Sequence, residues 1–209
     1  MTRLSVNINK IATLRNSRGG NIPDVVKAAV RCQEYGAEGI TVHPRPDERH
    51  IRYQDVRDLK QVVSTEFNIE GYPSVDFMHL VRDVVPDQVT LVPDPPGAIT
   101  SSEGWDTITN KNFLVDVIKE LKRVGIRTSI FVDMRPGMIE SAADAGTDRV
   151  EFYTEPYAAG FESDPQKAVE AFVGAAARAA EAGLGINAGH DLNLHNLKYF
   201  HNHVPGLLE

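Results

Sequence analysis

Cysteine is almost absent: Cys32 is the only one in 209 residues. That excludes an internal disulfide framework and a cluster of thiolate metal ligands. Long apolar runs are missing as well. None approaches the eighteen or so residues of a membrane span, and no apolar stretch of signal-peptide length precedes Asn7. The expectation is a cytoplasmic protein with no membrane partner. A basic excess is lacking too. Lys and Arg number 22 against 29 Asp and Glu, for a net charge of −7, which argues against a nucleic-acid partner. Neither a Gly-x-Gly-x-x-Gly fingerprint after the first predicted strand nor a Walker A sequence is present, which lowers the nucleotide-binding readings. His43, His50, Glu70 and His190 are metal-ligand types, yet they form no His-x-x-x-His pair on a helix. The spacing therefore carries no metal signal.

What is present suits one globular domain with a large core. Charge is unevenly spread. Residues 1–60 hold eleven Lys/Arg and seven Asp/Glu, a balance of +4, so the remainder carries −11. A locally basic N-terminal part in an acidic chain fits a small anionic ligand, although a solvated surface could give the same split.

The apolar pattern alternates between strand and helix. Strands are expected at Leu4–Ile8, Gly39–Val42, Phe67–Gly71, Gln88–Val92, Thr128–Val132, Arg149–Tyr153 and Leu184–Ala188. Helices are expected from Pro23 to Gly36, over Gln54–Ser64, from Ser74 to Pro86, over Phe113–Val124, from Pro136 to Gly146, over Asp164–Ala182 and over His195–His203. Gly36, Gly125, Gly146 and Gly183 each close a helix just before a strand. Strand, loop, helix, glycine, strand is the grammar of βα units and a parallel sheet. Two architectures remain, an open doubly wound sheet or a closed barrel. Asn7 and Asn9, His43 and Arg45, Glu70, Glu151, and His190 fall at or just past the C-terminal ends of five strands. A barrel gathers all such ends on one face. The fold expected is an α/β (β/α)8 TIM barrel with its eighth βα unit missing. The domain expected is a single barrel over residues 1–209, incomplete at its C-terminus. The stretch from Pro93 to Asn110 is a long loop, with Trp105 as a lid anchor or an interface residue.

Chemistry concentrates in Glu38–His50. A short buried strand breaks there into a proline-punctuated loop carrying His43, Arg45, Arg49 and His50. Imidazoles beside guanidiniums make a proton shuttle next to an anion clamp; the alternative is a solvated charged loop. Lys10, Arg15 and Arg18 form a second basic group after strand one, with Arg15 and Arg49 expected to face solvent. Two basic groups could hold two phosphates. His43, Glu70 and His190 at strand ends could serve as general acids and bases.

Two long motifs are more specific. Val6-Asn-Ile-Asn-Lys-Ile-Ala-Thr-Leu-Arg-Asn-Ser-Arg-Gly19 and Gly39-Ile-Thr-Val-His-Pro-Arg-Pro-Asp-Glu-Arg-His-Ile51, supported by Asn187-Ala-Gly-His190, resemble the pyridoxine 5′-phosphate synthase family of vitamin B6 biosynthesis. The resemblance implies a (β/α)8 barrel working without metal or redox cofactor, and a homo-octamer built from dimers. It implies condensation of 1-deoxy-D-xylulose 5-phosphate with 3-amino-2-oxopropyl phosphate to pyridoxine 5′-phosphate, phosphate and water. It makes His43 and Glu70 proton acceptors, His190 a proton donor and Glu151 a charge-stabilising carboxylate. Asn7 and Arg18 would hold the amino-ketone phosphate. Arg45, His50 and Thr100 would hold the deoxyxylulose phosphate, with Asn9 and Lys10 lining its site. The commoner family pattern has Asp-His where this chain has Asn9-Lys10, and Gly where it has Asp191, a substrate-side position. Rival readings are another phosphosugar barrel enzyme, such as an isomerase or aldolase, and a non-catalytic binder of phosphorylated ligands.

Overall fold

Among the described residues, seven short strands carry the architecture. The structure, a computed structural model, describes residues 2–94 and 103–209. The chain divides into two compact units. One contains the described residues from 3 to 94 together with Leu121–Arg127. The other contains residue 2, residues 103–120 and Thr128–Glu209.

In the first unit, β1 (Ser5–Asn7), β2 (Gly39–Val42), β3 (Glu66–Gly71) and β4 (Gln88–Leu91) pair in chain order, all parallel. Between them run α1 (Asn9–Ser17), α2 (Val25–Glu34), α3 (Tyr53–Lys60) and α4 (Val75–Val84). Right-handed crossover helices between parallel neighbours are what this strand order demands. Strands β2 and β4 are buried at every residue, as strands covered on both faces must be. Their buried side chains are not all apolar. Ser5 and Thr41 share a hydrogen bond of 2.8 Å, Asn68 donates to Thr41 at 3.4 Å, and Thr90 donates to Asn68 at 3.1 Å. This polar row satisfies itself across four strands, which is the condition for burying such groups. Glu66 extends the polar interior by pairing with Arg127.

In the second unit, β5 (Arg127–Val132), β6 (Arg149–Tyr153) and β7 (Gly185–Gly189) are again parallel and in chain order. Its helices include α6 (Met138–Asp144), α7 (Glu155–Phe161), α8 (Pro165–Glu181) and α9 (Leu197–His203), with α5 (Lys111–Arg123) preceding β5. Tyr157, Phe172 and Phe200 form an aromatic core, with ring centroids 4.9–6.2 Å apart. After α9 the chain returns to the sheet. Leu207 bridges Ile186 in parallel, Leu208 donates to the Ile186 carbonyl at 2.8 Å, and Ala188 donates to that of Glu209 at 2.9 Å. Residues 207–209 thus lie beside β7 where the next strand of a βα series belongs.

The expected strands all occur, within a residue or two at their ends. The four glycine stops each lie two residues past a helix and have positive φ, the C′ geometry that ends helices. Two helices were not expected, α1 and α7. Trp105, expected as lid anchor or interface residue, is buried against Phe113, its backbone N–H on the Phe131 carbonyl.

Candidate active site

In the first unit, the ends of β1 and β2 are tied together before any reactive group is placed. Asn7 ends β1, and its side-chain oxygen accepts the N–H of Asn9 at 2.9 Å. Asn9 in turn accepts the backbone N–H of His43 at 2.9 Å. The start of α1 is therefore fixed to the first residue after β2. The amide oxygen of Asn9 makes here a link that a carboxylate could make equally.

His43 and Glu70 approach each other, with Nδ1 3.9 Å from Oε2 and both side chains largely buried. A small movement or one water converts this spacing into a proton path. Glu70 is set by its neighbour. A Cβ on Gly71 would fall 2.2 Å from the Phe77 ring, so only glycine lets β3 end this close to α4.

Arg45 is buried and donates to Asp94 at 2.7 Å. That pairing holds the guanidinium in one orientation. A cleft of about 70 Å3 opens beside it, lined among others by His43, Arg45, Arg49, Tyr53, Tyr72 and Asp94. Arg49 reaches Asp47 at 2.6 Å and holds that carboxyl below its ordinary value. His50 is the electrostatically distinctive group. Burial, followed by the nearby charges of Arg45 and Arg49, pushes its pKa down to about 4. Its Nδ1 accepts the N–H of Ile51 at 2.9 Å, so the ring is neutral at pH 7 and its Nε2 carries the proton. A neutral donor among cations is suited to an anionic oxygen.

The basic group after strand one does not stay together. Lys10 and Arg18 are both exposed at opposite ends of α1, about 12 Å apart at 1.5 Å per residue. Arg15, expected to face solvent, is buried. It makes a two-pronged ion pair with Asp55, at 2.5 and 2.8 Å. Helical spacing puts Arg15 on the buried side with Ala12, and the carboxylate there removes the cost of an unpaired charge.

In the second unit, Glu151 is buried in β6. A Cβ on Gly189 would lie 2.8 Å from its Oε1, so the glycine makes room for the carboxylate. His190 follows with φ +93° and Asp191 with φ +57°. Glycine adopts this region without strain; here two residues with side chains occupy it. The bend is held by Thr154, whose hydroxyl lies 2.6 Å from the Gly189 carbonyl and 2.5 Å from that of His190. The His190 ring packs against Phe131 and Tyr153, each 5.2 Å away. Asp191 lines an open groove of about 410 Å3 with Glu155, Glu162, Asn193 and Asn196.

Thr100 lies outside the described residues. Among the described residues, no group of three or more His, Cys, Asp or Glu side chains is arranged to hold a metal ion. No described helix is long and apolar enough to cross a membrane. Sequence reasoning missed Asp94, the partner of Arg45, and Thr154. Asp94 follows β4, and the strand-end rule that picked Glu70 would have found it. Thr154 had no signal, because its task is set by a bend in β7.

Residues 4–209 match the family model described as pyridoxal phosphate biosynthesis protein PdxJ. The chain is 61% identical to the pyridoxine 5′-phosphate synthase of Cytophaga hutchinsonii, and to that of Flavobacterium johnsoniae. Each match covers 100% of this chain and 88% of the relative. Among solved structures it resembles a chain of the tryptophan synthase complex of Pyrococcus furiosus, with TM-score 0.59, 14% identity and coverage of 100% and 88%. It also resembles KGPDC of Streptococcus mutans, with TM-score 0.61, 11% identity and coverage of 100% and 86%. At these identities the structural likeness speaks to fold alone, and it agrees with the α/β barrel class with seven βα units present.

Proposed function

The chain belongs to the pyridoxine 5′-phosphate synthase family of vitamin B6 biosynthesis, and from that premise we propose that it condenses 1-deoxy-D-xylulose 5-phosphate with 3-amino-2-oxopropyl phosphate. The products are pyridoxine 5′-phosphate, inorganic phosphate and water. The observation that carries this reading is the His43–Glu70 pair, 3.9 Å apart, with His43 lining the same cleft as Arg45 and Arg49, whose guanidiniums are held by Asp94 and Asp47. Proton-transfer groups beside an anion cradle are what a condensation of phosphorylated substrates needs.

In this reading the amine of one substrate attacks the ketone of the other and water leaves, giving a Schiff base. Glu70 and His43 take up protons as the deoxyxylulose skeleton loses water and then phosphate. A water then adds at the carbon that lost phosphate, and carbon–carbon closure and a last dehydration complete the ring, with His190 donating a proton and Glu151 stabilising developing positive charge. Arg45 and His50 hold the deoxyxylulose phosphate, together with Thr100, and Asn9 and Lys10 line that site. Asn7 and Arg18 hold the amino-ketone phosphate. Asp191 stands beside the His190 position. A cytoplasmic homo-octamer built from dimers completes the proposal.

A coupled assay with both substrates, following phosphate release and pyridoxine 5′-phosphate formation, tests it. Wild type should form both products, and His43→Ala should lose roughly 10²-fold or more in kcat. Near wild-type turnover by His43→Ala would remove His43 from the mechanism. Binding of both substrates without turnover by wild type would favour a binding protein instead.

A further inference from the structure

The loop that carries Arg45 and His50 is held from behind by α1, through side chains that do not reach the cleft. Asn16 does most of the holding. Its amide nitrogen lies 3.2, 3.1 and 2.8 Å from the carbonyls of Glu48, Arg49 and His50. Its amide oxygen accepts from Arg15 at 3.0 Å and from Arg52 at 2.9 Å. Arg15 adds a bond of 3.1 Å to the same His50 carbonyl, while its other nitrogen is locked to buried Asp55. Asp55 also accepts the N–H of Arg52 at 2.7 Å, fixing the start of α3 where the loop ends.

The loop needs such support. Glu48 sits at φ +50°, a left-handed conformation that costs a non-glycine residue energy and persists only where the surroundings impose it. Two N–H groups on Asn16 meet three successive carbonyls at that bend. Asparagine is the residue for this place, because one planar amide offers donors to the loop and an acceptor to two guanidiniums.

We infer that Asn16, set by the Arg15–Asp55 pair, is a positioning residue that holds residues 48–50 so that His50 and Arg45 present a preformed site to the phosphate of the deoxyxylulose substrate. This rests on the proposed function for the identity of the ligand. The brace itself does not depend on it. The groups that face His50 are Arg45, Arg49, Asp47 and Lys10, together with the His43 ring, edge-on at 6.1 Å. All but Lys10 lie on the loop, so loosening the loop changes both the burial of His50 and its charged surroundings.

The experiment compares wild type with Asn16→Ala and Asn16→Leu. Both variants are uncharged, and leucine fills the volume if alanine leaves a destabilising hole. Without ligand, the His50 titration is followed by NMR. With ligand, KM for each substrate and kcat are measured. The His50 midpoint should move from about 4 towards its ordinary value near 6.5 in either variant. KM for the deoxyxylulose phosphate should rise about tenfold, the worth of one lost hydrogen bond, while KM for the amino-ketone phosphate and kcat move far less. An unmoved midpoint with unchanged KM in a folded variant overturns the inference. So does an equal rise in both KM values with His50 unmoved, since that is general loosening. If wild type shows no turnover, the functional reading fails, and the ligand-free titration still decides the brace.

Discussion

Arg15 and Asp55 face each other with almost no exposure, their side chains 6% and 12% accessible. A buried pair of this kind is worth little against a well-packed apolar replacement, but removing one partner strands the other charge. Arg15→Met alone should therefore destabilise the fold by about 3–5 kcal/mol. The double substitution Arg15→Met with Asp55→Leu should recover much of that loss, short of the N–H of Arg52 that Asp55 also satisfies. Urea midpoints at constant slope would show it. A double variant whose loss is the sum of the losses of Arg15→Met and Asp55→Leu alone would mean that the pair is not coupled. The charge of Arg15 was legible in the sequence and its burial was not. Nothing in a run of Leu-Arg-Asn-Ser-Arg says which arginine meets a carboxylate forty residues further on. Arg45 posed the same problem, since its partner Asp94 comes from another strand end.

Among the elements, those with a continuous apolar face could be read and those without one could not. Helix α4 buries Phe77, Met78, Leu80, Val81 and Val84 and is capped by Ser74, which accepts the N–H of Phe77. Its start, its face and its end are all written in residue types. Helix α1 buries only Ala12 and Arg15, and α7 only Tyr157. Neither shows an apolar period, which is why neither could be read from residue types. The strand ends were legible because buried parallel strands are apolar and their functional residues begin where that pattern breaks. The β3–α4 junction makes a prediction at this scale. Gly71→Ala places a methyl against the buried Phe77 ring, and overpacking of that kind costs about 1–3 kcal/mol. Adding Phe77→Leu should restore part of the stability and, by freeing the end of β3, part of any lost activity. Thermal melts and the coupled assay on both variants check it. A Gly71→Ala protein as stable as wild type would mean that the ring moves aside at no cost.

For the whole molecule, family membership reaches from residue 4 to residue 209, and the two specific motifs that announced it lie around the same His43 loop the geometry singles out. That loop also ties stability to pH. The native pKa of His50 lies at about 4, below its ordinary value of 6.5, because burial and neighbouring arginines oppose a charged ring. Above pH 6.5 the ring is neutral in both folded and unfolded chains, so the site contributes its full stability. As pH falls from 6.5 towards 4, the unfolded chain takes up a proton that the folded one refuses, and stability declines throughout that window. Below about pH 4 both forms bind the proton and this loss is complete. His50→Asn keeps an acceptor for the N–H of Ile51 and cannot titrate. Wild type should lose more thermal stability than His50→Asn between pH 7 and pH 4.5, while carboxylates that titrate lower contribute equally to both. Parallel losses in the two proteins would show that His50 does not carry a depressed pKa. A steeper loss in His50→Asn would mean that the imidazole gains, rather than loses, by being charged in the folded loop.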